Sequence, residues 1–349
     1  MNFLRTLTVL IACLSSGCFG FLRRDDNGGP VWRGKQPDWV LESSAKYPRQ
    51  KYLTGAGVGN TRDAAEKDAR AELARIFRAD IDSKVATYRK YFQSNVSADE
   101  DEVTLSNLTT VSARQAIEGS EVVEIYRPRR GVQFYALAVL ERAKTGRILR
   151  DRIFKLDAEI ELLSSKAKSS QDKLAQLRYL KRSAPKFALR DAFESQLRIV
   201  DRAGGGIATL ANFEEVKSSI DEILAKEVAI AVTVTGQRAD DLRSAILKEL
   251  TRLGLPTTSG APSGKSVDLK IVVGSKYSVT QRKAEFFDVN WTVASKLIDR
   301  SGKELSTKVH EVTGGYVDKT QAERLSFGEL QTKIPAGVAR QVDDYLMGR

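Results

Sequence analysis

Gly55, Gly57 and Gly59 recur at every second position between a short β segment, residues 51–58, and a helical pattern running from residue 62 to about 93. Alternate residues of a strand point to the same face. Three glycines on one face leave it without side chains, so a following helix can bring its backbone against the strand. The helix offers a matching surface, because Ala65, Ala69, Leu73, Ile76, Phe77 and Val85 recur at helical spacing. Asn60-Thr61 supplies its N-cap. Gly-x-Gly also invites a dinucleotide-binding reading. The pattern is G-x-G-x-G rather than G-x-G-x-x-G, however, and no acidic residue ends a second parallel strand about twenty residues on. Close strand–helix packing is therefore the expectation.

Beyond this pair the chain alternates strand and helix patterns. Residues 94–102 are polar and acidic and read as a loop, and 103–117 fit either helix or strand. Strands are expected at 121–126 and 133–140, joined by the turn Arg127-Pro128-Arg129-Arg130-Gly131. Residues 145–202 carry an apolar stripe through Ile148, Ile153, Leu156, Ile160, Leu163, Leu174, Leu177 and Leu180, divided by Pro185. They form either a helical hairpin or helices packed on the first domain. Gly204-Gly205-Gly206 closes them as a hinge. A helix at 212–225, a strand at 228–234 and a helix from 239 ending at Gly254 come next. Strands at 268–275, 288–298 and 304–312 follow, the latter two flanking the turn Asp299-Arg300-Ser301-Gly302. A helix from 319 to 346, interrupted near Pro335, ends the chain. This order implies an α+β class: two small mixed-sheet domains, 36–142 and 206–349, joined by a helical connector, 143–205.

The N-terminus carries a different signal. Arg5, the apolar run from Thr6 to Leu14 and the small residues Ser15-Ser16-Gly17 precede Cys18. This is the composition of a lipoprotein signal peptide, residues 1–17, with lipidation on Cys18. Cys13 is a rival: Leu10-Ile11-Ala12-Cys13 fits the short consensus better, but its apolar run after Arg5 is only about seven residues. An ordinary cleaved signal peptide or a buried N-terminal strand is the other alternative. Residues 18–35 then form a lipidated tether, and several acyl chains give stable attachment. Cys13 and Cys18 are the only cysteines, so the mature body has no disulfide framework, Cys-bound metal or catalytic thiol. Phe19, not Asp, follows Cys18, which implies the outer membrane where lipoproteins are sorted by that residue.

The net charge of +11, lowered by one when Arg5 leaves with the signal, favours anionic partners. Outside the cytoplasm these are lipid headgroups, lipopolysaccharide or cell-wall polymer rather than nucleic acid. Arg127, Arg129 and Arg130 form the most concentrated basic spot and are the candidate anion contact. Catalytic motifs are poor. Gly260 to Ser266 resembles a P-loop with one residue too few between its glycines and a strand after it. His310 is the only histidine, lies outside any nucleophile motif, and is expected at the surface or in a hairpin. Asp240-Asp241 and Glu214-Glu215 sit in helix first turns, where they favour the dipole. No catalytic residue, cofactor or metal ligand is assigned.

Pro37, Trp39, the three glycines, Ala65, Ala69, Ala74 and Tyr135-Ala136-Leu137 together resemble the LPP-twenty lipoproteins and the N-terminal domain of flagellar assembly protein T. The resemblance covers about residues 37–200 and implies a small sheet on a long helix. The second domain is similar, more loosely, to periplasmic domains of flagellar assembly protein T, TolB and the penicillin-binding-protein activators. Its Gly254-Leu255-Pro256, the strand 268–274 and the hairpin 297–305 carry that likeness. No enzymatic residue comes with either. The expected function is a non-catalytic envelope lipoprotein that binds other envelope proteins at the periplasmic face of the outer membrane. The alternative is a module binding peptidoglycan or another anionic glycan.

Overall fold

The computed structural model describes residues 22–24, 30–32, 35–42, 44–95, 117–208, 211–255, 257–259, 267–283 and 286–348. The signal peptide, Cys13 and Cys18, most of the tether, the loop at 96–102, nearly all of 103–117 and the P-loop-like 260–266 lie outside them. The architecture is mixed α+β, as expected. The chain divides into two compact units: residues up to Leu73 with Gly119–Glu141, and Ala74–Glu118 with Arg142–Arg349.

In the first unit, short strands β1 (Leu22–Arg24) and β2 (Pro30–Trp32) join β3 (Tyr52–Gly59), β4 (Glu121–Tyr126) and β5 (Phe134–Glu141) in the order β1-β2-β4-β5-β3. Helix α1 (Arg62–Asn95) starts just after β3, with the Thr61 hydroxyl accepting from the Ala64 amide at 3.2 Å. The glycines do what their spacing implies. A methyl added at Gly55 would lie 2.5 Å from the Ala69 carbonyl oxygen. At Gly57 it would lie 2.5 Å from the Ala65 carbonyl oxygen, and at Gly59 2.6 Å from the Ala65 nitrogen. Each is well inside van der Waals contact, so no side chain fits between strand and helix. Strand β5 continues the surface: Ala136, Ala138 and Leu140 pair with Gly57, Gly55 and Leu53 and so share their face. Its intervening Leu137 and Val139 face the opposite side and pack with Trp39 and Tyr126. The strand is buried on both faces.

In the second unit, α2 (Arg142–Ser169) and α3 (Lys173–Val200) pack as a hairpin. The break between them falls at Ser170–Asp172, not at Pro185. Asp172 caps α3 by accepting from the Leu174 amide at 3.1 Å, while Pro185 lies inside the helix between buried Ala184 and Phe187. An interior proline costs about 3 kcal/mol, which burial of its neighbours on a crowded helix offsets. Pro335 behaves the same way, so the last helix, α6 (Lys319–Met347), is continuous.

Short helix α4 (Phe213–Glu222), capped by Asn212, leads through a π turn to β6 (Ile230–Gly236). Helix α5 (Ala239–Arg252) follows, with Gly254 at φ +69° beyond its end. The second sheet has the order β10-β9-β8-β6-β7, built with β7 (Thr257–Ser259), β8 (Leu269–Lys283), β9 (Phe286–Asp299) and β10 (Glu304–Tyr316). Strand β6 runs parallel to β7 and β8, and β8, β9 and β10 form an antiparallel meander. The β9–β10 turn is as read from sequence: Asp299 accepts from the Ser301 and Lys303 amides, and Gly302 takes φ +89°. Alternate residues Val289, Trp291, Val293, Ser295 and Leu297 are buried beneath α6. Lys181 of α3 and Asp343 of α6 form an ion pair at 3.4 Å, each side chain only 4% exposed.

Replacing Gly57 by Ala is expected to destabilise the first unit by about 3 kcal/mol, because neither strand nor helix backbone can yield to a methyl. Gly131→Ala, whose added methyl meets nothing nearer than 3.4 Å, should stay within about 0.5 kcal/mol of the parent. Urea midpoints for the two variants check both values.

Candidate functional site

The site in the first unit is built on Trp39. The turn Asp38–Val40 after Pro37 places the indole on the face of the sheet opposite α1, where it is 5% exposed. Glu124 pairs with Leu137 across β4 and β5 and therefore reaches the same face. A bulge at Val123 sits beside it in the strand. The Trp39 indole N–H donates to Glu124 Oε2 at 2.7 Å, and Lys46 Nζ donates to Oε1 at 3.1 Å. Both carboxylate oxygens are thus committed. The hydrogen bond and the charge of Glu124 push the Lys46 ammonium above its usual pKa. A cleft of about 610 Å³ opens beside them, lined among others by Lys35, Asp38, Ser44 and Ile125. It offers an ammonium, a carboxylate, a hydroxyl and an indole wall, which suits binding. Neither Lys46 nor Glu124 was singled out from sequence. Only the tertiary fold brings Glu124 to Trp39; the one local sign was a carboxylate inside an apolar strand.

A second cleft, of about 510 Å³, lies in the second unit between α2, α3 and α4. Ile160, Leu180 and Val216 are buried at its base, and Glu161 and Glu215 stand exposed at its rim.

The residues anticipated from sequence are scattered rather than gathered. Arg127, Arg129 and Arg130 occupy the β4–β5 loop. Arg127 is half-buried, its guanidinium 4.8 Å from the centre of the Phe134 ring, while Arg129 and Arg130 are exposed. Asp240 pairs with Arg243 and Asp241 with Arg238, at 3.0 and 2.7 Å, on the surface of α5. The space over Gly55, Gly57 and Gly59 is occupied by α1, which leaves no room there for a dinucleotide phosphate.

His310 lies in the β9–β10 hairpin, one of the two places expected for it, and is half-buried there. It shares the inward face of β10 with Lys308 and Val312, because strand alternation carries all three toward α6. Its ring lies where a methyl on Gly337 of α6 would stand, 2.6 Å from its Cε1. Nε2 is buried without a hydrogen-bond partner. Burial, helped by the charge of Lys308, holds the His310 pKa below the usual 6.5. Among the described residues no group of His, Cys, Asp and Glu is placed to hold a metal, and no helix is long and apolar enough to cross a membrane.

The fold defines a mixed α+β protein of two units with a cleft on each. Residues 37–141 match the LPP20 lipoprotein family. The match begins at the proline before Trp39 and ends with β5, and so contains the whole Trp39–Glu124–Lys46 corner and the glycine strand. No curated protein matches the chain. Among solved structures it is similar to a secreted protein of Helicobacter pylori, at 13% identity over 84% of this chain and 97% of that one, with a TM-score of 0.43. It is also similar to a minor lipoprotein of Acinetobacter baumannii, with 15% identity, 34% and 90% coverage and a TM-score of 0.25. A lipoprotein of Neisseria meningitidis matches at 13% identity, 34% and 99% coverage and a TM-score of 0.23.

The His310 geometry predicts an acid-sensitive contact. A folded pKa below 6.5 means that the unfolded chain binds the proton first. The stability from neutral His310 is complete above about pH 6.5 and is lost as the pH falls toward the folded pKa. Urea midpoints measured between about pH 8 and pH 5 should fall more steeply for the parent than for His310→Gln.

Proposed function

We propose that the chain is a cell-envelope lipoprotein, tethered through a lipidated Cys18, that acts as a non-catalytic interaction factor at the membrane surface. The observation that carries this is one combination. A basic, apolar, small-residue leader ends in cysteine, and a body follows whose residues 37–141 match a lipoprotein family. Phe19 after the cysteine favours the outer membrane as its destination, with the body on the periplasmic face. The likeness to flagellar assembly protein T and TolB rests on the sequence motifs alone and belongs to this proposal. Two clefts on separate units supply surfaces for partners.

The test is intact mass and membrane fractionation of the native protein beside Cys18→Ser. A triacylated mature chain starting at Cys18, with the variant unprocessed or released, is the expected outcome. An unlipidated mature chain, or a variant that fractionates unchanged, overturns it.

Exposure of Arg129 and Arg130 at the hairpin tip supports the second reading, contact with an anionic envelope polymer. Replacing Arg127, Arg129 and Arg130 together by Ser should reduce retention on purified sacculi or lipopolysaccharide several-fold. Unchanged retention would remove that reading and leave the first intact.

A further inference from the structure

The second cleft is the surface whose shape and charge point to a particular occupant. One wall is the α2 stripe from Asp157 to Lys168, and the other is the α4 face from Asn212 onward, with Leu180 of α3 between them. At 1.5 Å per residue the α2 wall is about 16 Å long. A wall of that length matches about five residues of extended chain.

Its charge runs against that of the chain. Four carboxylates and one lysine, Lys168, line it in a protein of net charge +11. Asp157 is held by Arg190 at 2.9 Å and Glu222 by Lys226 at 3.0 Å. The remaining charges of the lining are Glu161 and Glu215, one on each wall, and Lys168 in the last turn of α2. An apolar feature accompanies them. Phe154 is 57% exposed on α2, one turn before Asp157 and two before Glu161, which puts it in line with the groove wall. An exposed aromatic beside a carboxylate-rimmed cleft with an apolar base calls for a ligand that is cationic and apolar at once.

We propose that this cleft docks a short segment of a partner protein that alternates Arg or Lys with large apolar residues. The cations meet Glu161 and Glu215 while an apolar side chain covers Phe154 and enters over Val216. Apolar contact and charge attraction each contribute, and the charges set the orientation and the rate of encounter. The proposal is independent of lipidation at Cys18.

The probe is a fluorescein-labelled peptide of repeating Leu-Arg-Ala-Lys, read by anisotropy on the full chain. Three comparison ligands are the same peptide with Glu for Arg and Lys, the same peptide with Ser for Leu, and spermine as competitor. Saturable binding of the first peptide alone is expected, weakened at least about tenfold by Glu161→Lys/Glu215→Lys and by Phe154→Ser. All three residues are exposed, and far-UV circular dichroism verifies that the variants are folded. Binding that survives both substitutions places the peptide elsewhere and overturns the proposal. So does equal binding of the Ser-for-Leu peptide, or displacement by equimolar spermine, which would make the cleft a site for small cations.

Discussion

The first unit depends on how closely β3 and α1 approach. Methyl groups at Gly55, Gly57 and Gly59 would each fall within about 2.6 Å of helix backbone or closer, so the helix rests on bare strand. The rest of the unit follows. The helix must present alanines at that contact, and Ala65 and Ala69 are fully buried there. The neighbouring strand must present small residues as well, and Ala136 and Ala138 do so. With one face of the sheet filled so tightly, the large side chains of β4 and β5, Tyr126, Leu137 and Val139, go to the other face and are covered by Trp39. The Trp39–Glu124 hydrogen bond then fixes the segment that forms the wall of the cleft.

These dependencies explain what could be read in advance. Close packing leaves a local mark: alternate glycines, alanines at helical spacing, and a strand such as 134–140 with small residues on one face. Turn and cap chemistry is equally local, so the Asp299–Gly302 turn, the Asn212 cap and Gly254 beyond α5 stand where the sequence places them. The two prolines were misleading because their intrinsic cost is local while the compensation is not. Pro185 and Pro335 lie among residues that neighbouring elements bury, and a helix that is packed along its length tolerates a missing hydrogen bond. The partial burial of His310 within its hairpin was illegible for a related reason. Alternation in β10 says that residues 308, 310 and 312 share a face, but not which face α6 will cover.

The buried charges of the second unit follow the same logic at higher energy. Arg190 is 1% exposed, yet it donates to Asp157 at 2.9 Å, to Glu194 at 2.7 Å and to the Ile207 carbonyl at 2.8 Å. Tyr88 of α1 donates to Asp191 beside it at 2.6 Å, and its burial drives the phenol pKa upward. Such a guanidinium adds little net stability over a well-packed apolar side chain, but it tolerates only one arrangement of its acceptors. It ties α2, α3 and the 207 carbonyl into a defined geometry, while Lys181 and Asp343 do the same for α3 and α6. Apart from the i,i+4 pair Arg190–Glu194, no residue spacing announces these contacts, since their partners are up to 162 positions apart.

Arg190 also shapes the electrostatics of the adjacent cleft. It holds Asp157 in the wall while also pairing with Glu194, and the exposed carboxylates Glu161 and Glu215 stand at the rim, where solvent keeps the desolvation cost low. Charges so placed can attract a cationic ligand without penalising the empty fold, whereas an unpaired carboxylate at the base would destabilise it. The apolar residues beneath, Ile160, Leu180 and Val216, remain part of the packing between helices. Core and cleft therefore share side chains: the arginine that orders the helices also holds Asp157, one of the carboxylates that line the cleft.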